Sequence, residues 1–194
     1  MKKNRLEAFS DGVIAIIITI MVLEIKVPHG DDFASLQPLF PVFASYLLSF
    51  AFVGVYWNNH HHLLHAAVKV NGAALWANMH LLFWLSLIPF ATGWMGENHF
   101  APAPVALYGF VLLMAGLAYF IFARVLIAQH GKASVLARAI GGDVKGIVSC
   151  VGYAAAIPLA FVNEWLSMGI YLAVAAMWLV PDRRIESVLE AEPD

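Results

Sequence analysis

The sequence predicts an all-α membrane protein with six transmembrane helices in each subunit. Of its 194 residues, 61% are hydrophobic and only 12% are charged, whereas soluble domains carry roughly 45–50% apolar and about 25% charged residues. The mean hydropathy is +0.76. Six apolar segments follow one another, most of them near the length of about 20 residues that a helix needs to cross a bilayer. The charged residues then fall on alternate sides of these segments in a consistent way.

Prolines mark most borders between the six segments. Pro28 ends the first, the second begins after Pro38 and Pro41, and Pro181 ends the sixth, which is short for a span. Proline suits the first turn of a helix, where its missing N–H would be unpaired in any case. Inside the fifth segment, Pro158 predicts a kink near the helix end. The predicted segments are 9–27, 42–67, 73–95, 104–128, 144–162 and 165–180.

The basic residues predict which side of the membrane each loop faces. If both termini lie in the cytoplasm, Lys26 is the only one of the eleven basic residues on the outer side, which fits the preference of Lys and Arg for cytoplasmic loops. Residues 1–181 then form a single six-helix transmembrane domain, and residues 182–194 form an acidic cytoplasmic tail. The inner side carries Lys2, Lys3, Arg5, Lys69, Arg124, Lys132, Arg138, Lys145, Arg183 and Arg184.

The sequence carries no pattern typical of an enzyme or of a nucleic-acid-binding protein. It has no Walker loop, Gly-x-Ser-x-Gly elbow or His-Glu-x-x-His helix, which are local signatures of phosphate binding, acyl transfer and zinc-dependent hydrolysis. It has no basic face or arm for nucleic acid, and its single cysteine, Cys150, excludes an intramolecular disulfide. We expect neither enzymatic activity nor nucleic-acid binding.

The first segment combines charged residues with a bulky apolar stripe. Arg5 and Asp11 stand at the start of the apolar run 13–23. On a helical wheel of about 100° per residue, Ser10 and Asp11 lie opposite the stripe, and Thr19 lies at its margin. Such a stripe is typical of ordinary helix packing, so periodicity by itself assigns it no function. The stripe consists of Ile16, Ile20 and Leu23.

Three segments place polar side chains at one depth, near the predicted cytoplasmic side. Because the segments alternate in direction, the start of the first, the end of the second and the start of the third meet there. The simplest interpretation is an interhelical hydrogen-bond cluster. Two others are a metal or haem site, since His61 and His65 share a helix face, and a proton sensor, since histidine titrates near neutral pH. The polar residues are Ser10, Asp11, His60, His61, His62, His65, Asn78 and His80.

A short motif, Arg-x-x-x-Phe-Ser-Asp at residues 5–11, opens the isoleucine-rich first segment. It resembles the signature of the lysosomal potassium channel family, transmembrane protein 175, and of its bacterial relatives. The histidine-rich end of the second segment after Trp57 is similar to that family, as are Asn78 and Pro89 in the third. The resemblance extends over the whole chain in length and in the number of spans.

The resemblance implies a homotetramer around a four-fold pore that the first helix lines, without a re-entrant filter loop. Ile16, Ile20 and Leu23 would form the hydrophobic constriction, with Ile16 at its narrowest point. Thr19 would form a layer linked to cation selectivity. A structural network would hold the first helix against its neighbours. Its members would be Arg5, Phe9, Ser10, Asp11, Trp57, His60, Asn78 and His80.

The implied function is a potassium-preferring cation leak channel in a bacterial inner membrane, permeated by K⁺ and other monovalent cations, with no cofactor and no bound metal. Near the outer mouth, copies of Glu24, Asp31 and Asp32 are expected to raise the local cation concentration. The alternative is a proton-coupled or metal-ion transporter that uses Asp11 and the histidine cluster. A membrane enzyme or haem protein is a third interpretation, against which the missing catalytic motifs argue.

Overall fold

The computed structural model describes residues 3–131, 134, 137–138 and 143–179, and every regular element within these ranges is helical. The predicted all-α class is therefore confirmed, while the predicted tail 182–194 lies outside the described residues. Two short 3₁₀ helices, Met21–Glu24 and Phe33–Leu39, extend α1 and precede α2. The α-helices are α1 (Lys3–Ile20), α2 (Phe40–His65), α3 (Gly72–Ser86), α4 (Ile88–Glu97), α5 (Pro102–His130), α6 (Val144–Leu159) and α7 (Glu164–Leu179).

Within the residues that the structure describes, six helical segments correspond to the six predicted ones. Four of them are long and apolar enough to cross a membrane: Lys3–Glu24, Phe33–His65, Gly72–Glu97 and Pro102–His130. The last two, α6 and α7, have 16 residues each, which corresponds to about 24 Å at 1.5 Å per residue. A helix shorter than the hydrocarbon layer is accommodated by local thinning of the bilayer or by its flanking residues.

Two prolines place helix ends where the prediction did not. The third segment, predicted as one helix over 73–95, is broken between α3 and α4 at Leu87. Pro89 has no N–H to donate to the carbonyl four residues earlier, and its ring crowds that carbonyl. The fifth segment was predicted to reach 162, but α6 ends at Leu159, one residue after Pro158. The missing backbone donor explains the first difference. After Pro158, Ala160 still donates to the carbonyl of Ala156 at 3.0 Å, and α6 ends in the turn that follows.

Contacts between loops and helix ends show that the segments alternate in direction. Lys3 donates a hydrogen bond to the carbonyl of His65 at 3.2 Å, so the start of α1 lies beside the end of α2. His130, the last residue of α5, accepts the backbone N–H of Val68 at 3.0 Å. We call this side of the bundle the basic end. By position in the chain, the described basic residues that belong to it are Lys3, Arg5, Lys69, Arg124, Arg138 and Lys145.

The opposite side, which we call the acidic end, joins the remaining helix ends. Lys26 and Glu97 form an ion pair that connects the segment after α1 to the end of α4. Phe100, in the turn before α5, lies with its ring centroid 5.7 Å from that of Trp165 at the start of α7. The acidic residues of this end are Glu24, Asp31, Asp32, Glu97 and Glu164.

Small residues allow α5 to pack tightly inside the bundle. A Cβ added at Gly109 would overlap the hydroxyl of Tyr171 on α7. That hydroxyl donates to the carbonyl of Val105 at 3.1 Å, and both Tyr108 and Tyr171 are fully buried. Close backbone approach at glycine and alanine is the usual way in which membrane helices gain packing contacts.

We expect Gly109→Ala to lower the thermal stability of the protein. The added methyl group occupies the place of the Tyr171 hydroxyl, and overpacking of this kind costs about 1–3 kcal/mol. Gly169→Ala on α7 is the matched control, because nothing lies within 4 Å of a Cβ at that position. The measurement is the melting temperature in detergent, followed by size-exclusion chromatography after heating. Equal melting temperatures for the two variants would contradict this account of the α5–α7 contact.

Candidate functional site

Helix α1 has one face packed inside the subunit and one face left open. Its buried residues recur every three to four positions: Leu6, Ser10, Ile14 and Ile17. The open face carries the predicted stripe. Of its side chains, Ile16 is 60% exposed, Ile20 40% and Leu23 75%. We call Ile16, Thr19, Ile20 and Leu23 the α1 stripe.

The 3₁₀ turn after Ile20 keeps Leu23 on the stripe. Residues three positions apart eclipse each other in a 3₁₀ helix, whereas they are offset in an α-helix. Because Met21–Glu24 is 3₁₀, Leu23 stays in line with Ile20 and remains exposed, while Met21 is buried. The α1 stripe therefore runs without interruption towards the acidic end.

Thr19 brings a hydroxyl group to this apolar surface. Its Oγ1 donates to the carbonyl of Ala15 at 2.9 Å and lies 3.1 Å from that of Ile16. A hydroxyl has one proton and two lone pairs. Since the proton is directed to the helix backbone, only acceptor capacity remains for another partner. Such an oxygen can bind a cation but cannot donate a hydrogen bond to an anion.

A buried chain of hydrogen bonds holds α1 against two other helices. Asn78 on α3 donates through Nδ2 to Ser10 Oγ at 3.0 Å, and its Oδ1 lies 2.7 Å from His60 Nε2 on α2. Ser10 donates in turn to the carbonyl of Leu6 at 2.9 Å. The side chains of Ser10, Asn78 and His60 have no exposed surface. We call Ser10, Asn78 and His60 the polar clamp.

The clamp sets the protonation pattern of His60. The amide nitrogen of Asn78 is used on Ser10, so Oδ1 is the acceptor and His60 Nε2 carries the proton. In the described part of the chain, His60 Nδ1 is buried without a hydrogen-bond partner, and the ring stacks on Phe122 of α5 with centroids 5.6 Å apart. A neutral imidazole with its proton on Nε2 matches these surroundings.

A second, more exposed set of contacts joins α1 to α2 near the basic end. Trp57 Nε1 donates to Asp11 Oδ1 at 3.1 Å, so Asp11 faces away from the α1 stripe, as the helical wheel predicted. His61 Nδ1 lies 3.3 Å from Glu7 Oε1. The rings of Trp57, His61 and His65 stack in sequence along α2, each neighbouring pair with centroids 6.1 Å apart.

Three residues predicted for the network lie outside these contacts. Arg5 is exposed, and it makes no hydrogen bond or ion pair with any residue that the structure describes. Phe9 is 50% exposed. His80 accepts a hydrogen bond from Trp84 Nε1 at 3.0 Å, within α3 itself. Inside one subunit the network is therefore smaller than the prediction.

The acidic residues predicted for the outer mouth have different surroundings. Glu24 lies against α4, where Oε2 would be 2.9 Å from a Cβ at Gly93. Asp31 is exposed, and Asp32 accepts the backbone N–H of Ser35 at 3.0 Å as a helix cap. The hydrogen bond and charge of Glu97 raise the pKa of Lys26 above its ordinary value. Glu24 thus points sideways into the subunit, and the charge of Lys26 is paired nearby.

Sequence reasoning missed two sets of contacts. Glu7 stands one turn before Asp11, and this spacing of four residues was the available signal for a shared face towards α2. The second set is a buried hydroxyl chain, in which Thr92 Oγ1 lies 2.6 Å from Ser49 Oγ and Ser49 lies 3.0 Å from the hydroxyl of Tyr108. It joins α2, α4 and α5, and isolated hydroxyl residues in apolar segments give no comparable signal.

The predicted histidine cluster does not assemble a metal site within the described ranges. No group of three or more His, Cys, Asp or Glu side chains there is arranged to hold a metal ion. His60 is committed to the clamp, and His61 and His65 stack on each other. The contacts that these histidines form within one subunit are hydrogen bonds, ring stacking and the approach of His61 to Glu7.

Comparison with known proteins gives concordant matches. The family described as "Endosomal/lysosomal potassium channel TMEM175" matches residues 5–89. A protein from Chryseobacterium sp. named as a potassium channel is 54% identical over 190 residues, covering 98% of this chain and 99% of its own length. Another from Chamaesiphon minutus, also named as a potassium channel, is 33% identical over 185 residues, covering 89% of this chain and 91% of its own.

A solved structure has the same fold. The crystal structure of a lysosomal potassium-selective channel TMEM175 homolog from Chamaesiphon minutus superposes with a TM-score of 0.79 at 30% sequence identity. The match covers 92% of this chain and 96% of the other. The helical arrangement described above is therefore shared over nearly the whole length of both chains.

We expect Asn78→Ala to destabilise the subunit. The substitution removes the partners of two fully buried groups at once, and interhelical hydrogen bonds in membrane proteins contribute about 0.6 kcal/mol on average and about 1–2 kcal/mol at most. The measurement is thermal unfolding in detergent. Asn58→Ala is the control, since Asn58 is exposed on α2. A melting temperature for Asn78→Ala equal to that of the control would show that the clamp contributes nothing to stability.

Proposed function

This chain belongs to the endosomal/lysosomal potassium channel TMEM175 family, and on that premise we propose that it is a potassium-preferring cation channel whose pore is lined by α1. The observation that carries the proposal is the α1 stripe. Three large apolar side chains and one hydroxyl stand exposed over the last turns of α1 and the 3₁₀ turn that follows, while the opposite face of α1 is held by buried hydrogen bonds. Relatives of matching length are named as potassium channels.

The stripe becomes a pore when α1 helices from several copies face one another. We propose a homotetramer with the stripe at its four-fold axis. Rings of Ile16, Ile20 and Leu23 then form an apolar constriction, which closes by dewetting and conducts when it widens enough to hydrate. The pore needs no re-entrant filter loop, because the helix itself supplies the narrow part.

Thr19 supplies the polar layer within this constriction. Its hydroxyl proton is directed to the backbone of its own helix, so the ring of threonine oxygens presents acceptors only. Acceptor oxygens replace part of the hydration shell of a monovalent cation and offer nothing to an anion. We therefore assign cation selectivity to Thr19, and we assign the gate to the apolar residues on either side of it.

In this proposal the polar clamp fixes the orientation of α1 about its own axis. A helix that turned by one residue about its axis would bring Ser10 out of reach of Asn78 and would move Ile16 off the pore axis. Asp11 restricts the rotation of α1 as well, through its hydrogen bond with Trp57. Asp11 is thus a positioning residue.

The acidic residues that attract cations in this proposal are those of the acidic end. Among them, exposed Asp31 is better placed than Glu24, which packs against α4.

The membrane setting completes the proposal. The chain is a multi-pass membrane protein, and we propose that it resides in a bacterial inner membrane with the basic end in the cytoplasm, as the distribution of Lys and Arg favours. Residues 1–181 are proposed to act as one channel domain, with 182–194 as a cytoplasmic tail and no cofactor.

Recording of purified protein in planar bilayers tests the channel and its gate together. Under a potassium/sodium gradient we expect a cation current that reverses towards the potassium potential. We expect Ile16→Asn to lower the free-energy barrier to ion passage through the constriction by about 1.4 kcal/mol. This change corresponds to a potassium conductance about ten times higher. Ile121→Asn on α5 is the control for placing an amide on an exposed apolar surface. An absent wild-type current would refute the channel, and an unchanged conductance in Ile16→Asn would refute the gate.

The role of Thr19 can be separated from that of its apolar neighbours. Thr19→Val removes the oxygen at nearly constant volume, so we expect the preference for potassium over sodium to fall while the current persists. Thr19→Ser retains the oxygen and should restore the preference. The reversal potential in mixed potassium and sodium solutions is the measurement. If valine and serine behave alike, the hydroxyl has no part in selectivity.

A further inference from the structure

A cavity of about 230 Å³ lies on the side of the subunit away from α1. Its walls come from α2, α5, α6 and α7, and no residue of α1, α3 or α4 lines it. Most of the lining side chains are apolar, among them Phe52, Leu117 and Tyr153. Ile147 and Val151 stand at its edge and are 55% and 64% exposed, so the cavity opens on the apolar outer surface. We call it the basic-end crevice.

The crevice runs from the middle of the bundle to the basic end. Phe52 and Tyr153 lie in the middle of α2 and near the middle of α6, whereas Gly146 and Trp178 belong to the first turn of α6 and the last turn of α7. Along α5 its lining passes from Gly116 to Phe120. An elongated apolar space that lies along the helices and opens to their outer surface matches the direction and chemistry of a lipid acyl chain.

Two cations stand where the crevice meets the basic end. The guanidinium of Arg124 lies 5.5 Å from the ring centroid of Phe120, and the ammonium of Lys145 lies 5.7 Å from that of Trp178. Both rings line the crevice. The acidic residue at this rim, Asp143, accepts the backbone N–H of Gly146 at 3.0 Å, so its carboxylate caps the start of α6.

We propose that the basic-end crevice binds one anionic phospholipid, with an acyl chain in the apolar cavity and the phosphate beside Arg124 and Lys145. Basic pockets between transmembrane helices at the cytoplasmic surface are a recurrent way of binding acidic headgroups. A zwitterionic lipid offers the same acyl chain but no net negative charge. Arg124 and Lys145 together outweigh the single negative charge of Asp143 at the rim, so the net positive charge favours the anionic headgroup. This proposal does not depend on channel activity.

Gly116 and Cys150 allow the cavity to be filled from two different helices. A Cβ at Gly116 would lie 3.3 Å from Cys150 Sγ and 3.7 Å from the Tyr56 hydroxyl, so a larger side chain there projects into the crevice. Gly116→Leu fills it from α5, and Cys150→Phe fills it from α6. Gly169→Leu is the matched control, because nothing lies within 4 Å of a Cβ at that position.

Native mass spectrometry in the presence of equal amounts of phosphatidylglycerol and phosphatidylcholine tests the proposal. We expect the wild-type protein and Gly169→Leu to retain phosphatidylglycerol preferentially, and both filled variants to lose it. Arg124→Gln and Lys145→Gln should each lower the preference for phosphatidylglycerol about fivefold, the effect of one basic residue near an anionic headgroup. Equal retention of the two lipids by the wild type, or unchanged retention in both filled variants, would overturn the proposal.

The single cysteine provides a test that needs no variant. Cys150 lines the crevice, and it is the only thiol in the chain, so alkylation by N-ethylmaleimide reports access to the cavity. Added phosphatidylglycerol should slow the alkylation in detergent, whereas phosphatidylcholine at the same concentration should slow it less. An alkylation rate that does not respond to phosphatidylglycerol would overturn the proposal even if the filled variants fail to fold.

Discussion

The structure depends on one constraint, which is that a polar side chain inside an apolar bundle has to find its partner on another helix. Ser10, Asn78 and His60 meet this constraint together, because each satisfies the next across α1, α3 and α2. All three side chains are fully buried, and an unpaired polar group is costly in such surroundings. The rotation of α1 about its axis is thereby determined, and with it the direction in which the α1 stripe points.

The remaining helices provide a rigid support for this arrangement. The hydroxyl chain of Thr92, Ser49 and Tyr108 joins α4, α2 and α5 in the same manner, while Gly109 lets α5 approach Tyr171 on α7. The subunit consequently has two different sides. On one side α1 leaves its stripe exposed, and on the other side α2, α5, α6 and α7 line the basic-end crevice. The proposed pore and the proposed lipid site are therefore remote from each other.

Much of the site was predictable because the face of a helix on which a residue lies, and its depth in the membrane, both follow from its position along the sequence. The shared face of Ile16, Ile20 and Leu23, the opposite direction of Asp11, and the common depth of Ser10, His60 and Asn78 all follow from counting residues. Counting residues does not identify the partner of a side chain that several neighbours can reach. Glu24 packs against Gly93, His80 accepts a hydrogen bond from Trp84 on its own helix, and His61 lies beside Glu7.

The sequence by itself determined the all-α class, the six helical segments, the separation of basic from acidic ends and the composition of the α1 stripe, since each depends on the order of apolar and charged residues along one chain. Only the tertiary structure decided the partners within the polar clamp and the enclosure of the crevice. Those features depend on distances between helices that are far apart in sequence, and apolar packing allows many such arrangements until the buried polar groups select one.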